Sequence, residues 1–328
     1  MENNLQLLTS SQLALVNELK GGLFEFLVAN ELSEFFKLPS VILKSDVKKI
    51  DYLIALEDQM IKVTPELPLL LKKFAKELAF NIFQHFKHVD CQLSQIDLLG
   101  KHFENKKYHL GKEGEADLVV KDQNNNDYYL SIKLLKKGSS INTKSGGTKS
   151  FFINYFGSIE DCDLIQNNFN YFFAHHREIM IKEISSLSPP DFKINDILPS
   201  QLSDSQKKIL YQFYDLVNKE MQHCLLQLKQ NNLLIWRDGI KQLLGFSVDN
   251  VIQCISYYDQ DQSRAFIIDH LNISNELNLM NVGDLVTTSG LCISSKLLQL
   301  MIRVKPMRYF AEKSYKINCS LRYDLSSL

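Results

Sequence analysis

Two short apolar segments carry polar groups that a strand does not need. In Gly114-Glu115-Ala116-Asp117-Leu118-Val119-Val120 an aspartate stands just ahead of the apolar residues, and in Tyr128-Tyr129-Leu130-Ser131-Ile132-Lys133-Leu134-Leu135 a lysine sits among them. Between them, Asp122-Gln123-Asn124-Asn125-Asn126-Asp127 has the composition of a hairpin connection. Pairing of the two strands brings Asp117 and Lys133 onto adjacent strands. A carboxylate beside an ammonium at a strand edge suits a site that holds Mg²⁺ and positions a water against a phosphodiester.

That chemistry sets the ligands to look for. Mg²⁺ takes oxygen ligands, commonly one or two carboxylates with waters and substrate phosphate. Asp117 is the first expected ligand, and the backbone carbonyl of Ile132 a further one. Glu25, in Gly21-Gly22-Leu23-Phe24-Glu25-Phe26-Leu27-Val28-Ala29, is the only acid from Lys20 to Asn30, so it can reach the metal directly or through water. Lys133 in apolar and aromatic surroundings is costly unless paired, and desolvation there lowers its pKa toward a water-activating role.

Glu25, Asp117 and then Ser131-Ile132-Lys133, in that order, resemble the PD-(D/E)XK nuclease superfamily and, within it, the type II restriction endonucleases. That core is a glutamate-bearing helix followed by a hairpin carrying an aspartate and an acid-x-lysine element. The resemblance covers roughly the first 160 residues of the chain. It implies a mixed central sheet flanked by helices, with Mg²⁺-dependent cleavage of double-stranded DNA that leaves 5′-phosphates. It also implies a homodimer, because cutting both strands of a symmetric site requires two active sites related by a two-fold axis. Ser131 stands where the family carries its second acid. Glu25 is the expected replacement, with Glu115 and Glu160 in reserve. The alternatives are another nuclease of this fold, acting in repair or junction resolution, and a catalytically inactive DNA binder.

Basic residues concentrate in two places. From Ser131 to Ser150 there are five lysines and no acid: Lys133, Lys136, Lys137, Lys144 and Lys149. Within this stretch Lys144, Ser145, Gly146, Gly147, Thr148 and Lys149 read as a polar glycine-bearing loop whose amides and lysines suit a phosphate. A plain solvated loop is the alternative. Near the end of the chain, Arg303, Lys305, Arg308, Lys313, Lys316 and Arg322 face only Glu312 and Asp324 between Leu300 and Leu328. These residues are the expected DNA contacts, against the alternative of a charged outer sheet face.

The elements that must position these groups follow from periodicity. Leu13 to Phe36 has helical spacing and ends before Pro39. Asp46 caps a second expected helix through Val47, Ile50, Leu53, Ile54 and Leu56. Pro65 or Pro68 opens a third, through Phe74, Leu78, Ile82 and Phe86. Strands take over from about Ile96 to Leu135. Phe151 to Phe156 starts a further helix, and a long one spans Ser205 to about Gln230, with Ile209, Phe213, Leu216, Val217, Leu225 and Leu228 buried. Trp236-Arg237-Asp238-Gly239 reads as a turn. Leu297 to Lys305 and Tyr315 to Arg322 alternate apolar with basic or polar residues, the pattern of half-buried strands.

The expected class is therefore α/β (α+β), a restriction-endonuclease-like core with extra N-terminal helices and a C-terminal helix-plus-β region. Residues 1–185 hold the helical layer and nuclease core. Residues 186–204, with Pro189, Pro190 and Pro199, form a linker or hinge, and 205–328 form a DNA-contacting region, which can pack with the core as one domain. A net charge of −1 over 328 residues excludes a protein coated in basic residues. Six scattered cysteines without CxxC spacing point to reduced thiols in a cytoplasmic protein, not to a zinc cluster or disulfide scaffold. No basic leader followed by an apolar run is visible, and no apolar stretch approaches the ~20 residues of a membrane span, so no membrane partner is expected.

Overall fold

The computed structural model describes residues 10–38, 66–99, 116–189, 194–246, 250–287 and 290–324, together with 55, 57, 58, 61, 62 and 192. The expected helix after Asp46 and the reserve acid Glu115 lie outside the described residues. The fold is α/β, with two five-stranded sheets and seven α-helices among the described residues. The chain divides into two compact units, Met1–Ser139 with Phe246–Asn272, and Ser140–Gly245 with Ile273–Leu328.

In the first unit, α1 (Ser10–Phe35) and α2 (Leu67–His88) precede β1 (Leu93–Leu98), β2 (Leu118–Asp122) and β3 (Asp127–Lys136). After a long excursion, β5 (Val251–Asp259) and β6 (Gln262–Ile268) complete a sheet of order β1-β2-β3-β5-β6. The first three strands form an antiparallel meander, β5 runs parallel to β3, and β6 is antiparallel to β5. Parallel neighbours need a crossover connection, and here the chain of the second unit supplies it.

Helix α2 opens with Pro68 in its first turn and closes with His85, Lys87 and His88, which suits the helix dipole. Its stripe of Leu71, Phe74, Leu78, Ile82 and Phe86 is buried at helical spacing. These residues join Leu23, Phe24, Leu27 and Val28 of α1 and Leu118, Val120, Leu130 and Ile132 of the sheet in one core. That core pins α1 against the strands that carry Asp117 and Lys133.

The second unit contains β4 (Ile141–Gly147), α3 (Phe151–Phe156), α4 (Cys162–Ser186), α5 (Asp204–Asn231) and α6 (Leu233–Leu243). Most of α7 (His270–Leu279) follows, then β7 (Asn281–Thr287), β8 (Gly290–Ser294), β9 (Leu298–Pro306) and β10 (Tyr315–Tyr323). The sheet has order β4-β10-β9-β8-β7 and is antiparallel throughout. The expected alternation is present in β9, where Leu298, Leu300, Ile302 and Val304 are buried and Gln299, Arg303 and Lys305 exposed. Strand β10 keeps it except at Ser320, which is buried beside the register shift against β4.

Several expectations are corrected. The glycine-bearing stretch around Lys144 is not a loop: residues 141–147 form β4, paired with β10. Segment 186–204, expected as a linker, lies inside the second unit and contains two 3₁₀ turns. Its Ser203 caps α5, accepting from Gln206 N while the Gln206 side chain accepts from Ser203 N. The buried stripe of α5 runs through Leu210, Phe213, Val217, Met221, Leu225 and Leu228, whereas Ile209 is half-buried and Leu216 is exposed. Trp236 to Gly239 is helical, within α6. Gly239 sits mid-helix because a Cβ there would meet Phe156 Cε1 at 2.3 Å and Tyr155 O at 2.7 Å.

Candidate active site

The β2–β3 hairpin is built by its turn. One carboxylate oxygen of Asp122 accepts from the backbone N–H groups of Asn124 and Asn126, both at 2.8 Å, and its other oxygen accepts from the Asn126 amide. Asn125 takes the left-handed conformation at φ 63°, which asparagine tolerates. Lys121 and Asp127 close the hairpin with an ion pair at 2.8 Å. The resulting register sets Leu118 opposite Leu130 and so brings the start of β2 alongside the middle of β3.

Asp117 precedes β2 and is held from both sides. Its N–H donates to Leu130 O at 2.8 Å, and its carbonyl accepts from Leu99 N at 2.8 Å. The side chain turns to β3, where Oδ2 accepts from Ile132 N at 2.7 Å and from Lys133 Nζ at 3.0 Å. Side-chain exposures of 17% for Asp117 and 29% for Lys133 put the pair at a partly open edge. Lys133 is thus paired, not embedded among apolar groups as its sequence context suggests.

Glu25 approaches from α1. Burial pushes its carboxyl up to about 8, the charge of Asp117 pushes the same way, and Lys133 opposes both. Two carboxyl groups and one ammonium therefore act on one another, and Glu25 holds its proton well above the usual carboxylate range. A divalent cation would replace that proton.

Ser131 is buried on β3. Its neighbours Leu130 and Ile132 both pack into the core with the helices, so Ser131 points to the other face of the sheet. Its register partner on β5 is Gln253, also buried. Gln253 was not anticipated, although a lone glutamine in Val251-Ile252-Gln253-Cys254-Ile255 is a visible signal. Cys254, opposite Ile132, is fully buried, and burial followed by the Asp117 charge raises its thiol pKa. Lys20, also unanticipated, lies on α1 close enough to Lys136 that the two repel, and burial together with that repulsion lowers its pKa.

The remaining expected residues are distributed as follows. Lys136 ends β3 in the first unit, and Lys137, just after it, pairs with Asp259 at 3.0 Å. Lys144, Ser145, Gly146 and Gly147 lie on β4, where burial lowers the pKa of Lys144. Thr148 is buried and donates its backbone N–H to Tyr315 O at 3.0 Å, while Lys149 is exposed. Arg303 and Lys305 lie on β9 and Lys316 on β10, with Arg308 and Lys313 in the connection between them. The reserve acid Glu160 is exposed in the second unit.

No protein-family model matches the chain, and no curated protein matches it in sequence. Among the described residues no three His, Cys, Asp or Glu side chains converge as a metal site. The two carboxyl groups of Glu25 and Asp117, with a backbone carbonyl, remain a donor set that Mg²⁺ accepts when waters and phosphate complete its shell. No described helix is long and apolar enough to cross a membrane.

Proposed function

We propose that the chain is a Mg²⁺-dependent deoxyribonuclease that cuts double-stranded DNA at a specific sequence, in the manner of the type II restriction endonucleases. It would act in the cytoplasm as a homodimer. The observation that carries this reading is the gathering of Glu25, Asp117 and Lys133 by a helix and a hairpin, with Lys133 Nζ and Ile132 N on one oxygen of Asp117. A glutamate-bearing helix followed by an aspartate- and lysine-bearing hairpin is the arrangement that the resemblance to PD-(D/E)XK nucleases implies.

Glu25 and Asp117, with the Ile132 carbonyl, would hold the ion. When bound, Mg²⁺ supplies Lewis acidity toward the phosphate and lowers the pKa of a coordinated water. Lys133 keeps a fixed positive charge where the phosphorane oxygens gather negative charge, and it orients the attacking water. Water adds to phosphorus and the P–O3′ bond breaks, leaving a 5′-phosphate and a 3′-hydroxyl. The water's proton passes to solvent, and the leaving oxygen takes one up.

The experiment is incubation of the wild type and Lys133→Ala with unmethylated phage DNA, in Mg²⁺ or in EDTA. Discrete fragments from the wild type in Mg²⁺ alone support the reading. Intact DNA in every lane from folded protein overturns it. A second reading, a catalytically inactive DNA binder, is favoured by Ser131 in the acid's place and by the mutual neutralisation of Asp117 and Lys133. It predicts DNA binding in EDTA and no cleavage in any metal.

A further inference from the structure

We propose that the outer face of the second sheet, together with the β9–β10 turn, is a docking surface for duplex DNA. This assignment rests on the proposed function for its choice of ligand and on the following geometry for its place.

The strands β4, β8, β9 and β10 contain no aspartate or glutamate. Alternation turns their apolar residues inward and leaves cations outside. Arg303, Lys305 and Arg322 are exposed and Lys316 is half-buried on the same face. Asn318 and Ser320 between them are half-buried and buried, so the open part of the face is its cationic margin. In the register, Lys305 stands directly opposite Lys316, Arg303 opposite Asn318, and Gln299 opposite Arg322. Like charges directly opposite on one face of a sheet are destabilising. A polyanion laid across the strands removes that repulsion, because phosphates neutralise both ammonium groups while counterions are released.

The turn beside this face is held rigidly. The Glu312 carboxylate accepts from the backbone N–H groups of Met307, Arg308 and Tyr309 at 3.2, 3.1 and 3.0 Å. Phe310 is fully buried beneath it, and Arg177 donates to the carbonyls of Ala311 and Glu312. The clamped turn nonetheless presents Met307 at 72% exposure, next to Arg308 stacked on Tyr309 at 4.9 Å. An apolar side chain on a fixed tip between cations suits entry at a base step, with the cations on the flanking phosphates. Duplex is favoured over single strands because base stacking needs exposed aromatic rings. The aromatic residues of β4, β9 and β10, Tyr315 and Tyr323, are buried, and Tyr309 in the turn is half-buried with Arg308 over its ring.

The test is fluorescence anisotropy of a labelled duplex against the full chain in EDTA, titrated over a range of salt. Lys305→Gln/Lys316→Gln is expected to reduce the slope of log K against log salt by about 2, roughly one per lost phosphate contact. Met307→Ala is expected to weaken binding roughly tenfold at unchanged slope. These residues are surface-exposed or half-buried, and circular dichroism checks that each variant folds. Wild-type slope and affinity in both variants, absence of duplex binding, or equal binding of anionic lipid vesicles would each overturn the proposal. Binding through this face with no cleavage in Mg²⁺ sinks the nuclease reading alone. Cleavage that survives unchanged in the lysine variant sinks the docking surface alone.

Discussion

Lys133 Nζ lies 3.0 Å from Asp117 Oδ2, and the pair is neither fully buried nor free in solvent. Exposed ion pairs contribute little and buried ones are costly to break from one side, so an intermediate coupling is expected. A double-mutant cycle of Lys133→Ala and Asp117→Ala should give a coupling energy of about 1 kcal/mol in urea denaturation. Coupling indistinguishable from zero would mean that the two groups do not hold each other in solution.

Glu25 predicts a pH dependence of stability. Its carboxyl pKa is raised from 4.5 to about 8 in the folded chain. The folded state therefore keeps a proton that the unfolded chain releases, so the stability it contributes is full below pH 4.5 and is lost as pH climbs through about 8. Glu25→Gln, which mimics the neutral acid, should flatten this decline and be the more stable form at pH 9 in EDTA. Urea midpoints of the two proteins at pH 5 and pH 9 decide it. By the same linkage, Mg²⁺ affinity should rise with pH up to about 8 and then level off, readable by calorimetry.

Asp122 sets the hairpin that aligns Asp117 with Lys133, although it stands at the far end of β2. Its carboxylate satisfies two backbone N–H groups and one side-chain amide in the turn. Asp122→Ala leaves these donors without their partner and should lower the midpoint of thermal or urea unfolding. An unchanged midpoint would show that water replaces the carboxylate at no cost.

Gly239 predicts a packing effect in the second unit. A methyl group there would sit 2.3 Å from Phe156 and 2.7 Å from the Tyr155 carbonyl, and one of these is backbone. Gly239→Ala should destabilise by about 2–3 kcal/mol, despite the better helix propensity of alanine. A stabilised variant would show that α3 shifts away freely.

The hairpin was readable in advance because its information is local. Turn formers at Asp122–Asn126, flanked by apolar runs, define one register, and that register brings Asp117 to Lys133. The alternation in β9 and β10 was readable for the same reason, since one buried and one open face leave a period of two in the residues. Trp236 to Gly239 misled because glycine is a turn signal, whereas here it answers the close approach of Phe156 from another helix. The stretch around Lys144 misled because glycine and lysine have low strand propensity, which pairing with β10 overrides.

By itself the sequence determined the class of the fold, the hairpin, the amphipathic stripes and the residue types available for chemistry, all of them consequences of local propensity and periodicity. Only the tertiary structure decided which residues meet. It brought Glu25 near Asp117, set Gln253 against Ser131 from more than a hundred residues away, and placed Lys305 opposite Lys316. It also set Ser140–Gly245 of the second unit between β3 and β5, with the rest of that unit following β6. Such contacts come from long-range strand pairing and core packing, and these depend on the whole chain's buried surface, which no short window of residues encodes.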